Sequence, residues 1–476
     1  MTRDHPAIVA PGEVVSHASL DARVAQASGR LRALGVGDGF RVGLWAANSV
    51  EWIVIALAVA RAGGVLVPLN TRLADPEIAW QVERAGLALV IADESLASRD
   101  IRAKRVVSLA AWGELPVGDT SAAPGSGDPA RDAAIVFTSG TSGRPKGAVL
   151  TRGNQVASAG ACAAVLPLGP GDRWLASLPF FHVGGLGVVQ RCVSSGACVV
   201  LPASFSAEDL DRAIEDDGVT HVSVVDALLR RILEMRAGRP LPERLRAVVV
   251  GGGPVSAWAL EACPQALATY GLTETCAMVT LVRPGSSGAQ RLGAGPALPG
   301  VELRIAGDGV IEVRGPTVMR GYLDDPVDTA SALHDGWLHT GDLGEIDADG
   351  SLTVLSRRED LIVSGGENVY PAEIEQALRE HPDVADAVVI GLPDEQWGEV
   401  PLALVALRRP GSPDLRAFLE ARLARYKLPR IAFTDEIPRL ANGKPDREKV
   451  KKGNAPAYSE TRTDRGSSTP CDSRQP

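Results

Sequence analysis

The sequence lacks long apolar segments and has few aromatic residues. Aromatic side chains make up 4% of its 476 residues. Its most apolar early stretch, residues 53–69, is interrupted by Arg61 and by the pair Gly63 and Gly64, whereas a membrane-spanning helix needs about 20 consecutive apolar residues. The first residues also have no apolar core of the kind found in signal peptides. These absences predict a cytoplasmic protein that does not insert into a membrane.

The sequence also lacks an excess of positive charge and lacks closely spaced cysteines. Its 49 lysines and arginines face 58 acidic residues, which gives a net charge of -9. Because nucleic acids attract basic surfaces, a nucleic-acid partner is not expected. The six cysteines include no C-x-x-C pair, a scatter typical of reduced thiols that pack as small apolar side chains. Whether the chain forms a homo-oligomer is left open.

Alternating helical and strand patterns fill the first part of the chain. The periodicity predicts helices at residues 22–34 and 50–62 and strands at residues 41–45, 65–68 and 88–92. Such alternation is typical of a β-sheet covered by helices. A stretch rich in Gly, Pro, Ser and Asp, residues 118–132, is predicted to be a surface connection.

The same pattern resumes after this connection, now with glycine-rich segments at the ends of strands. A buried strand at residues 134–137 leads into one such loop, and a strand at residues 246–250 ends in a second. Between them, residues 221–225 are predicted as a strand that leads into a helix at residues 227–235. Junctions of this kind are where open α/β sheets bind ligands.

The pattern then changes to short strands separated by turns, with strands predicted at residues 302–305, 309–313 and 344–347. A compact α+β pattern follows, with a helix at residues 371–381 and a strand at residues 385–391. The sequence therefore predicts an α/β protein with a large N-terminal domain of helix-covered β-sheets and a small C-terminal α+β domain. The expected boundaries are residues 1–356, 357–452 and a disordered polar tail, 453–476.

The segment TSGTSGRPKG, residues 138–147, is the strongest local signal. Its small residues let backbone N–H groups approach an anion, its hydroxyls donate further hydrogen bonds and its lysine adds a positive charge. It is not a Walker A loop, because Pro145 precedes the lysine; the alternative is an ordinary flexible loop. The predicted phosphate-binding residues are Thr138, Ser139, Gly140, Thr141, Ser142, Gly143 and Lys146.

This loop and four later strings identify a family resemblance. In chain order they are YGLTET at residues 270–275, TGD at 340–342, RREDLIVSGG at 357–366 and PRLANGK at 438–444. Together they resemble the adenylate-forming superfamily, which includes acyl-CoA synthetases, peptide-synthetase adenylation domains and luciferases. The resemblance extends from about residue 20 to residue 449. It implies the superfamily's fold, with a mobile small domain, and ATP and Mg²⁺ as ligands.

The resemblance assigns roles around the nucleotide. Tyr270 has a flat face that can stack on adenine, Thr273 can bind a phosphate, and Glu274 is a hard carboxylate suited to Mg²⁺. The alternative, a capped helix start, explains the threonine and the glutamate but not the tyrosine. The adenine side is also expected to include Gly252, Gly253, Pro254 and Gly271, although a GGGP string can simply end a strand.

The resemblance also assigns a ribose site and a catalytic cation. Asp342 resembles the acid that binds the ribose hydroxyls, and Arg357 its partner. Attack of a carboxylate on the α-phosphate brings two anions together, so a fixed cation stabilises the transition state. Lys444, in the late N-G-K segment, resembles the residue that supplies it. The catalytic residues implied by the resemblance are Lys444, Thr138, Glu274 and His182.

A second half-reaction requires coenzyme A to reach the site after the lysine has moved. The superfamily rotates its small domain between the two steps, and the hinge of that pattern corresponds to Glu359. Lysine or aspartate is commoner there, so Glu359 is a departure that puts hinge kinetics in doubt. Gly365 and Gly366 are expected to face the pantetheine channel.

The acyl substrate is indicated by the segment FHVGGLGVVQR, residues 181–191. The pair Phe181 and His182 is expected to border the acyl pocket, with an apolar wall that starts at Gly184 and Gly185. Arg191 can pair with a second carboxylate on the substrate; on spacing alone, an ordinary surface arginine is equally well supported. Thr275 is expected on the substrate side as well.

The combination of FHVGGLGVVQR with YGLTETCAMVTL, residues 270–281, most closely resembles the o-succinylbenzoate–CoA ligases of menaquinone biosynthesis. The alternatives are another aryl- or acyl-CoA synthetase, acting on a benzoate-like, medium-chain or malonate-type acid, or an adenylation enzyme that loads a carrier protein. No carrier domain with its serine is seen after the small domain, which favours free CoA. A non-catalytic nucleotide-binding protein is disfavoured because Lys444, Glu274 and Asp342 are all present.

Overall fold

The computed structural model describes residues 4–120, 127–138, 145–253, 255, 257–291, 293–356, 361–439 and 445–453. Chain contacts divide them into two compact units, one built mainly from residues up to 356 and the other mainly from residues after 361. The predicted α/β architecture with a large and a small domain is confirmed. Among the described residues, no helix is both long and apolar enough to cross a membrane.

Helices cover the sheets of the large domain. The first begins at His17, earlier than the predicted residue 22, because the Ser16 hydroxyl caps it by accepting a hydrogen bond from the Ser19 amide at 3.1 Å. The helices of this domain are His17–Ala33, Val50–Ala62, Asp75–Arg84, Glu94–Ala97, Leu109–Glu114, Arg152–Ala163, Val183–Ser195, Ala207–Asp216, Asp226–Arg236, Ala257–Ala262 and Pro326–Ala332.

The first sheet of the large domain has seven strands. Its strands are parallel except for one antiparallel edge strand. The continuous apolar runs of these strands suit a sheet that helices cover on both faces. From one edge to the other, the strands are Ala266–Ala268, Ala247–Val250, His221–Val224, Arg173–Leu175, Cys198–Val200, Pro6–Ala10 and Glu13–Ser16.

The second sheet also has seven strands, but two antiparallel strands close one of its edges. The glycine-rich loop joins the last parallel strand to the first antiparallel one, so it connects a hairpin rather than a strand and a helix. From this edge inward, the strands are Gly321–Tyr322, Lys146–Thr151, Asp132–Thr138, Val65–Pro68, Arg41–Trp45, Leu89–Ala92 and Arg105–Ser108.

Helices from the two sheets pack against one another and enclose one core. His17–Ala33 packs on Val50–Ala62, and Arg152–Ala163 packs on Val183–Ser195. The rings of Trp52 and Phe180, with centres 4.9 Å apart and planes tilted by 46°, belong to this core. A separate apolar cluster lies under the helices on the other face of the first sheet.

A third, antiparallel sheet completes the large domain. Its longest strand runs from Trp337 to Ile346, so the short strand predicted at residues 344–347 is only its end. The strands in order are Gly295–Pro296, Ser351–Ser356, Trp337–Ile346, Val310–Arg314 and Glu302–Ile305, with Leu333–His334 paired to the longest. A two-stranded ribbon, Gly271–Leu272 with Ala277–Met278, lies apart from these sheets.

The small domain contains a five-stranded sheet and three helices among its described residues. The helix predicted at residues 371–381 ends at Arg379, and the predicted strand at residues 385–391 is part of a longer strand. The strands are Glu367–Val369, Ile362–Ser364, Gly398–Leu407, Val384–Asp394 and Arg430–Thr434. The helices are Pro371–Arg379, Leu415–Glu420 and Arg447–Gly453. The disordered tail was predicted to begin at residue 453, but Gly453 ends the last helix; residues 454–476 lie outside the described residues.

Candidate active site

The two ends of the glycine-rich loop lie opposite each other in the second sheet. Thr138 ends its strand and is the direct antiparallel partner of Lys146, which begins the return strand. Both are half-buried. The predicted phosphate-binding residues between them, Ser139, Gly140, Thr141, Ser142 and Gly143, lie outside the described residues. The sheet therefore fixes the base of the loop on both sides.

Lys146 has two partners in the large domain. Its ammonium lies 2.6 Å from the Asp328 carboxylate and 5.2 Å from the centre of the Tyr322 ring. The second distance is within the range of a cation–π contact. The lysine is thus held at the mouth of the loop by a carboxylate and by an aromatic face.

Glu274 is half-buried and bound to the same tyrosine. The Tyr322 hydroxyl donates a hydrogen bond to Glu274 Oε1 at 2.8 Å. Lys146, Glu274, Tyr322 and Asp328 are called the nucleotide cluster below. Sequence reasoning missed Tyr322 and Asp328, which lie some 50 residues after Glu274 in no recognised string; the scarcity of tyrosine, five in the chain, was the available signal.

The donor set around Glu274 fits Mg²⁺. One carboxylate oxygen accepts the phenol hydrogen bond, which leaves the other oxygen for a hard cation. Within the described ranges, no group of three or more His, Cys, Asp or Glu side chains forms a metal cage. Mg²⁺ is usually held by one or two carboxylates together with substrate phosphates and water. Glu274 is therefore the residue that would hold it.

The ribbon that carries Glu274 has a strained turn. Cys276 and Ala277 have φ values of 55° and 92°, which side chains adopt rarely. Gly271 is required opposite them, because a Cβ there would lie 1.8 Å from the Ala277 carbonyl oxygen. Packing of the ribbon therefore requires glycine at position 271, and its predicted contact with adenine stays a prediction. Thr273, at the start of this turn, is half-buried.

Thr275 was predicted to lie on the substrate side. It is 0% exposed. Its hydroxyl oxygen accepts the Leu272 amide hydrogen bond at 3.0 Å, and the hydroxyl lies 3.0 Å from the Leu272 carbonyl and 3.1 Å from that of Ala277. In this conformation Thr275 closes the turn and presents no surface to a substrate.

Tyr270 and Asp342, predicted to contact adenine and ribose, are brought together by the fold. The Tyr270 hydroxyl donates to Asp342 Oδ2 at 2.7 Å, and both residues are buried. Thr340 accepts the Asp342 amide at 3.1 Å. The tyrosine is only 3% exposed, so its visible role is to orient the aspartate. Stacking of adenine on this ring stays a prediction that requires the ring face to open.

The second glycine-rich segment follows the strand Ala247–Val250 in the first sheet. Gly252 has a φ of 79°, in the left-handed region that favours glycine. A Cβ at Gly253 would meet nothing within 4 Å, so this position is open. Pro254 and Arg357, the other predicted residues of the adenine and ribose sites, lie outside the described residues.

The predicted acyl segment precedes the helix Val183–Ser195. His182 is the residue before the helix, and its ring lies edge-on to Phe181, with 4.6 Å between the ring centres. Asn48 holds this segment in place: it donates to the Leu178 carbonyl at 2.9 Å and accepts the Phe180 amide at 2.8 Å. Asn48 gave no signal in the sequence, because it is distant along the chain.

The glycines of this helix have different roles. A Cβ at Gly185 would lie 2.2 Å from the Pro179 carbonyl oxygen, so this glycine lets the preceding turn pack on the helix. Packing alone therefore requires glycine at position 185, and its place in the acyl pocket stays a prediction. A Cβ at Gly184 would meet only the end of the Leu178 side chain, at 3.1 Å. Gly184 is half-buried and stays a candidate for the pocket wall.

Arg191 is buried rather than at the surface. It is 4% exposed, and its guanidinium lies over the Trp174 ring at 4.6 Å. Its Nε–H has no hydrogen-bond partner among the described residues. The guanidinium reaches back to Gly187, where a Cβ would lie 3.0 Å from its Nη1. The surface-arginine alternative is therefore wrong.

Trp174 also stacks on His221, with 5.1 Å between ring centres and an interplanar angle of 20°. Burial, together with the nearby Arg246, lowers the pKa of His221 to about 4. The imidazole is therefore neutral at pH 7, and Arg191 carries the charge of this group. Arg191, Trp174 and His221 are called the arginine stack below.

The thiols near this region are buried and unreactive. Burial raises the pKa of Cys276 to about 12 and that of Cys198 to about 11. Five of the six cysteines are described, and all five are buried and free. The prediction of reduced thiols packed as apolar side chains is confirmed for these five.

In the small domain, Gly365 and Gly366 form the turn between Ile362–Ser364 and Glu367–Val369, with φ values of 59° and 84°. The Gly365 amide donates to the Trp397 carbonyl at 2.8 Å. A Cβ at Gly365 would lie 2.8 Å from the Trp397 ring, so glycine is needed for this contact. The predicted hinge Glu359 and the predicted catalytic Lys444 lie outside the described residues.

Comparison with known proteins identifies the same family that the sequence motifs resemble. The model of the AMP-binding enzyme family matches residues 1–323, and that of the AMP-binding enzyme C-terminal domain matches residues 373–444. The 2-succinylbenzoate–CoA ligase of Geobacillus kaustophilus is 42% identical over 440 residues, which cover 89% of this chain and 90% of that protein.

Solved structures of the o-succinylbenzoate CoA synthetase from Bacillus subtilis are similar as well. The complex of a double mutant with the product analogue OSB-NCoA has a TM-score of 0.90 and 34% identity, covering 95% of this chain and 96% of that one. The complex with the acyl-adenylate OSB-AMP has a TM-score of 0.73 at the same identity and coverage. A complex with ATP and a magnesium ion also has a TM-score of 0.73 and 34% identity, with 95% and 97% coverage. On these grounds the chain belongs to the AMP-binding enzyme family.

Proposed function

We propose that this chain is an ATP-dependent 2-succinylbenzoate–CoA ligase that acts in menaquinone biosynthesis. In the first step a carboxylate oxygen attacks the α-phosphorus of ATP, the bond to the β-phosphate breaks, and acyl-adenylate and pyrophosphate form. In the second step the sulfur of coenzyme A attacks the acyl carbon, a thioester forms and AMP leaves. Both co-substrates are cytoplasmic metabolites, so the proposal places the enzyme in the cytoplasm.

Different residues of the large domain bind the phosphates, the adenine and the ribose of the nucleotide. Thr138, the loop that follows it and Lys146 bind the phosphates; Gly252 to Pro254 and Tyr270 face adenine; Asp342 and Arg357 hold the ribose. Glu274 holds Mg²⁺, which when bound neutralises charge on the phosphates. This assignment is supported by two sets of contacts: Tyr322 contacts both Lys146 and Glu274, and Tyr270 donates a hydrogen bond to Asp342.

The small domain supplies the groups that change between the two steps. Lys444 donates positive charge to the adenylation transition state. Gly365 and Gly366 face the pantetheine arm of coenzyme A, where their positive φ values and small size allow close approach. Glu359 is the hinge about which the domain turns.

The observation that carries the choice of acid is the buried guanidinium of Arg191. A buried charge is costly without an opposite charge or hydrogen bonds. This guanidinium lies over a tryptophan ring, and its Nε–H has no hydrogen-bond partner among the described residues. 2-Succinylbenzoate has two carboxylates, so one can be activated while the other pairs with the arginine. A planar guanidinium suits a carboxylate because two parallel hydrogen bonds can form.

The geometry of the helix agrees with this pairing. Arg191 lies eight residues after the helix begins at Val183, which is about 12 Å along the axis. Its side chain points back toward the helix start, as helical side chains do, and reaches Gly187. A substrate that enters beside Phe181 and His182 can therefore meet the guanidinium with its far end.

Pyrophosphate release with ATP, Mg²⁺ and CoA, measured across a panel of acids, tests the proposal. The panel contains 2-succinylbenzoate, benzoate, malonate and octanoate. We expect a strong preference for 2-succinylbenzoate. A preference for another acid keeps the ligase chemistry and rejects the substrate, and no release with any acid from a folded, ATP-binding protein rejects the enzyme assignment.

The role of Lys444 is tested by separating the half-reactions. We expect Lys444→Ala to abolish formation of the acyl-adenylate while thioester formation from supplied acyl-adenylate is largely retained. Lys449→Ala, a nearby lysine outside the N-G-K string, is the matched control. An equal loss of both half-reactions would reject this division of labour.

A further inference from the structure

The segment that contains Tyr322 is fixed by hydrogen bonds from three directions. The Asn154 amide donates to the carbonyls of Pro316 and Val318 at 2.7 and 2.8 Å. The Met319 amide donates to the Glu274 carbonyl at 2.8 Å. The strand Gly321–Tyr322 then pairs with the strand that begins at Lys146. The segment is therefore tied to the two parts of the chain that carry the predicted phosphate and metal ligands.

The position of Tyr322 itself is equally constrained. Its amide donates to the Thr329 hydroxyl at 2.8 Å. The preceding Gly321 has a φ of 153°, and a Cβ there would lie 2.8 Å from the Thr329 methyl. Tyr322 is 8% exposed. An aromatic ring held in this way has little freedom to move.

The two parts of this side chain contact two different functional groups. The hydroxyl donates to Glu274 Oε1 at 2.8 Å, and the ring face lies 5.2 Å from the Lys146 ammonium. Glutamate and lysine are among the side chains that lose most rotamer freedom when they are fixed. One rigid residue that holds both reduces the freedom that a bound nucleotide would otherwise have to remove.

We propose that Tyr322 is a positioning residue for the nucleotide: its hydroxyl orients Glu274 toward the divalent cation, and its ring orients Lys146 toward the phosphates. This inference rests on the proposed function, because it assumes that ATP and Mg²⁺ bind at the nucleotide cluster. It assigns separable effects to the two contacts. The hydroxyl governs the dependence on Mg²⁺, and the ring governs the affinity for the phosphates themselves.

A purely structural tyrosine makes a different prediction. The core would then need the volume of the ring and little else, so phenylalanine would serve as well in the folded protein. Any remaining effect would appear as a lower melting temperature and would change ATP binding equally with and without Mg²⁺. The two accounts therefore differ in an equilibrium measurement that needs no turnover.

The experiment is calorimetric titration of the full chain with ATP, at a series of Mg²⁺ concentrations and in EDTA. We expect Tyr322→Phe to raise the Mg²⁺ concentration needed for half-maximal ATP binding about tenfold, while the affinity in EDTA changes less than about twofold. Tyr322→Leu, which also removes the ring, should weaken binding in EDTA by about three- to tenfold. Tyr426→Phe, a tyrosine of the small domain, is the matched control.

A double-mutant cycle tests whether Tyr322 acts on the Mg²⁺ dependence through Glu274. Glu274→Gln should raise the Mg²⁺ requirement, and Tyr322→Phe should add nothing in that background. The inference is overturned if Tyr322→Phe changes ATP affinity equally with and without Mg²⁺, or if its effect is fully additive to that of Glu274→Gln. If the unaltered protein binds no ATP at any Mg²⁺ concentration, the proposed function fails first, and the positioning role fails with it.

Discussion

The nucleotide cluster and the arginine stack each hold one cationic side chain, but the surroundings of the two cations differ. In the cluster, Lys146 is half-buried and paired with a carboxylate 2.6 Å away. In the stack, Arg191 is 4% exposed and lies on a tryptophan ring. A paired lysine at a loop mouth can exchange its partner for the phosphates of any nucleotide. A buried arginine whose Nε–H has no hydrogen-bond partner among the described residues suits a ligand that brings a carboxylate.

The difference separates residues that are expected to act on ATP, whatever the acid, from residues that are expected to select the acid. Every acid that the enzyme activates must pass through the same adenylation, so groups that act on ATP should affect all acids equally. Groups at the far end of the acyl pocket should affect only acids that reach them. Variants in the two regions can therefore be distinguished by whether the ratio between acids changes.

The largest effect is expected in the nucleotide cluster. Glu274→Gln keeps the size of the side chain and removes its charge, and we expect kcat/KM for adenylation to fall about 10²–10³-fold, the usual loss for one preorganised electrostatic group. The fall should be the same for 2-succinylbenzoate and for benzoate, measured by pyrophosphate release. Glu261→Gln, on an exposed helix position, is the control, and a change in the ratio between the two acids would contradict the comparison.

A smaller effect, confined to one class of acid, is expected in the arginine stack. Arg191→Leu should lower the preference for 2-succinylbenzoate over benzoate about 10- to 100-fold, since hydrogen bonds to a charged group are worth about 1.5–3 kcal/mol. The melting temperature should stay the same or rise, because an apolar side chain replaces a buried charge.

The matched control for Arg191 is Arg230→Leu. Arg230 also lies over a tryptophan, Trp258 at 5.7 Å, but it is exposed and pairs with Asp226. This variant should leave the preference between acids unchanged. Equal loss of activity toward both acids in Arg191→Leu would remove the arginine from substrate recognition.

A third prediction concerns stability in acid. The pKa of His221 is lowered to about 4 by burial and by Arg246 and Arg191, which outweigh Asp172. The unfolded chain takes up a proton near pH 6.5 and the folded protein does not, so stability is present above that pH and is lost as pH falls toward 4. For this group the loss between pH 7 and pH 5 is about 2 kcal/mol.

His221→Asn should remove that part of the pH dependence, measured by urea unfolding of the full chain at both pH values. His334→Asn, at an exposed position, should leave the slope unchanged. An identical slope for the unaltered protein and His221→Asn would show that the stacked imidazole is protonated as easily as an exposed one.

The smallest effect is expected from a single methyl group beside the arginine. A Cβ at Gly187 would lie 3.0 Å from Arg191 Nη1, so Gly187→Ala should displace the guanidinium slightly and raise the KM for 2-succinylbenzoate several-fold. Gly160→Ala, where a Cβ meets nothing within 4 Å, should instead stabilise its helix by about 0.5–1 kcal/mol. Gly160→Ala should leave the KM for 2-succinylbenzoate unchanged. If Gly187→Ala leaves it unchanged as well, the guanidinium does not contact the substrate.

Strings of neighbouring residues allowed much of this enzyme to be predicted. The motif order predicted the AMP-binding family, which is confirmed, and the periodicity placed the strand Arg41–Trp45 and the helix Val50–Ala62 at their observed bounds. Helix and strand ends were less well predicted where tertiary pairing extends them, as in the strand Trp337–Ile346, which continues because it pairs along its length with neighbouring strands. The burial of Thr275 and the close approach of Pro179 to Gly185 could not be predicted, because their packing partners are not visible in the sequence.

By itself, the sequence determined the family and the reaction and predicted which residues handle ATP, because phosphate chemistry needs particular residue types close together in the chain. Only the tertiary structure decided how those residues are oriented. It placed Tyr322 between Glu274 and Lys146, and it buried Arg191 on Trp174. These contacts join residues far apart in the chain, and their energies depend on burial and distance, which periodicity and motif spacing do not record.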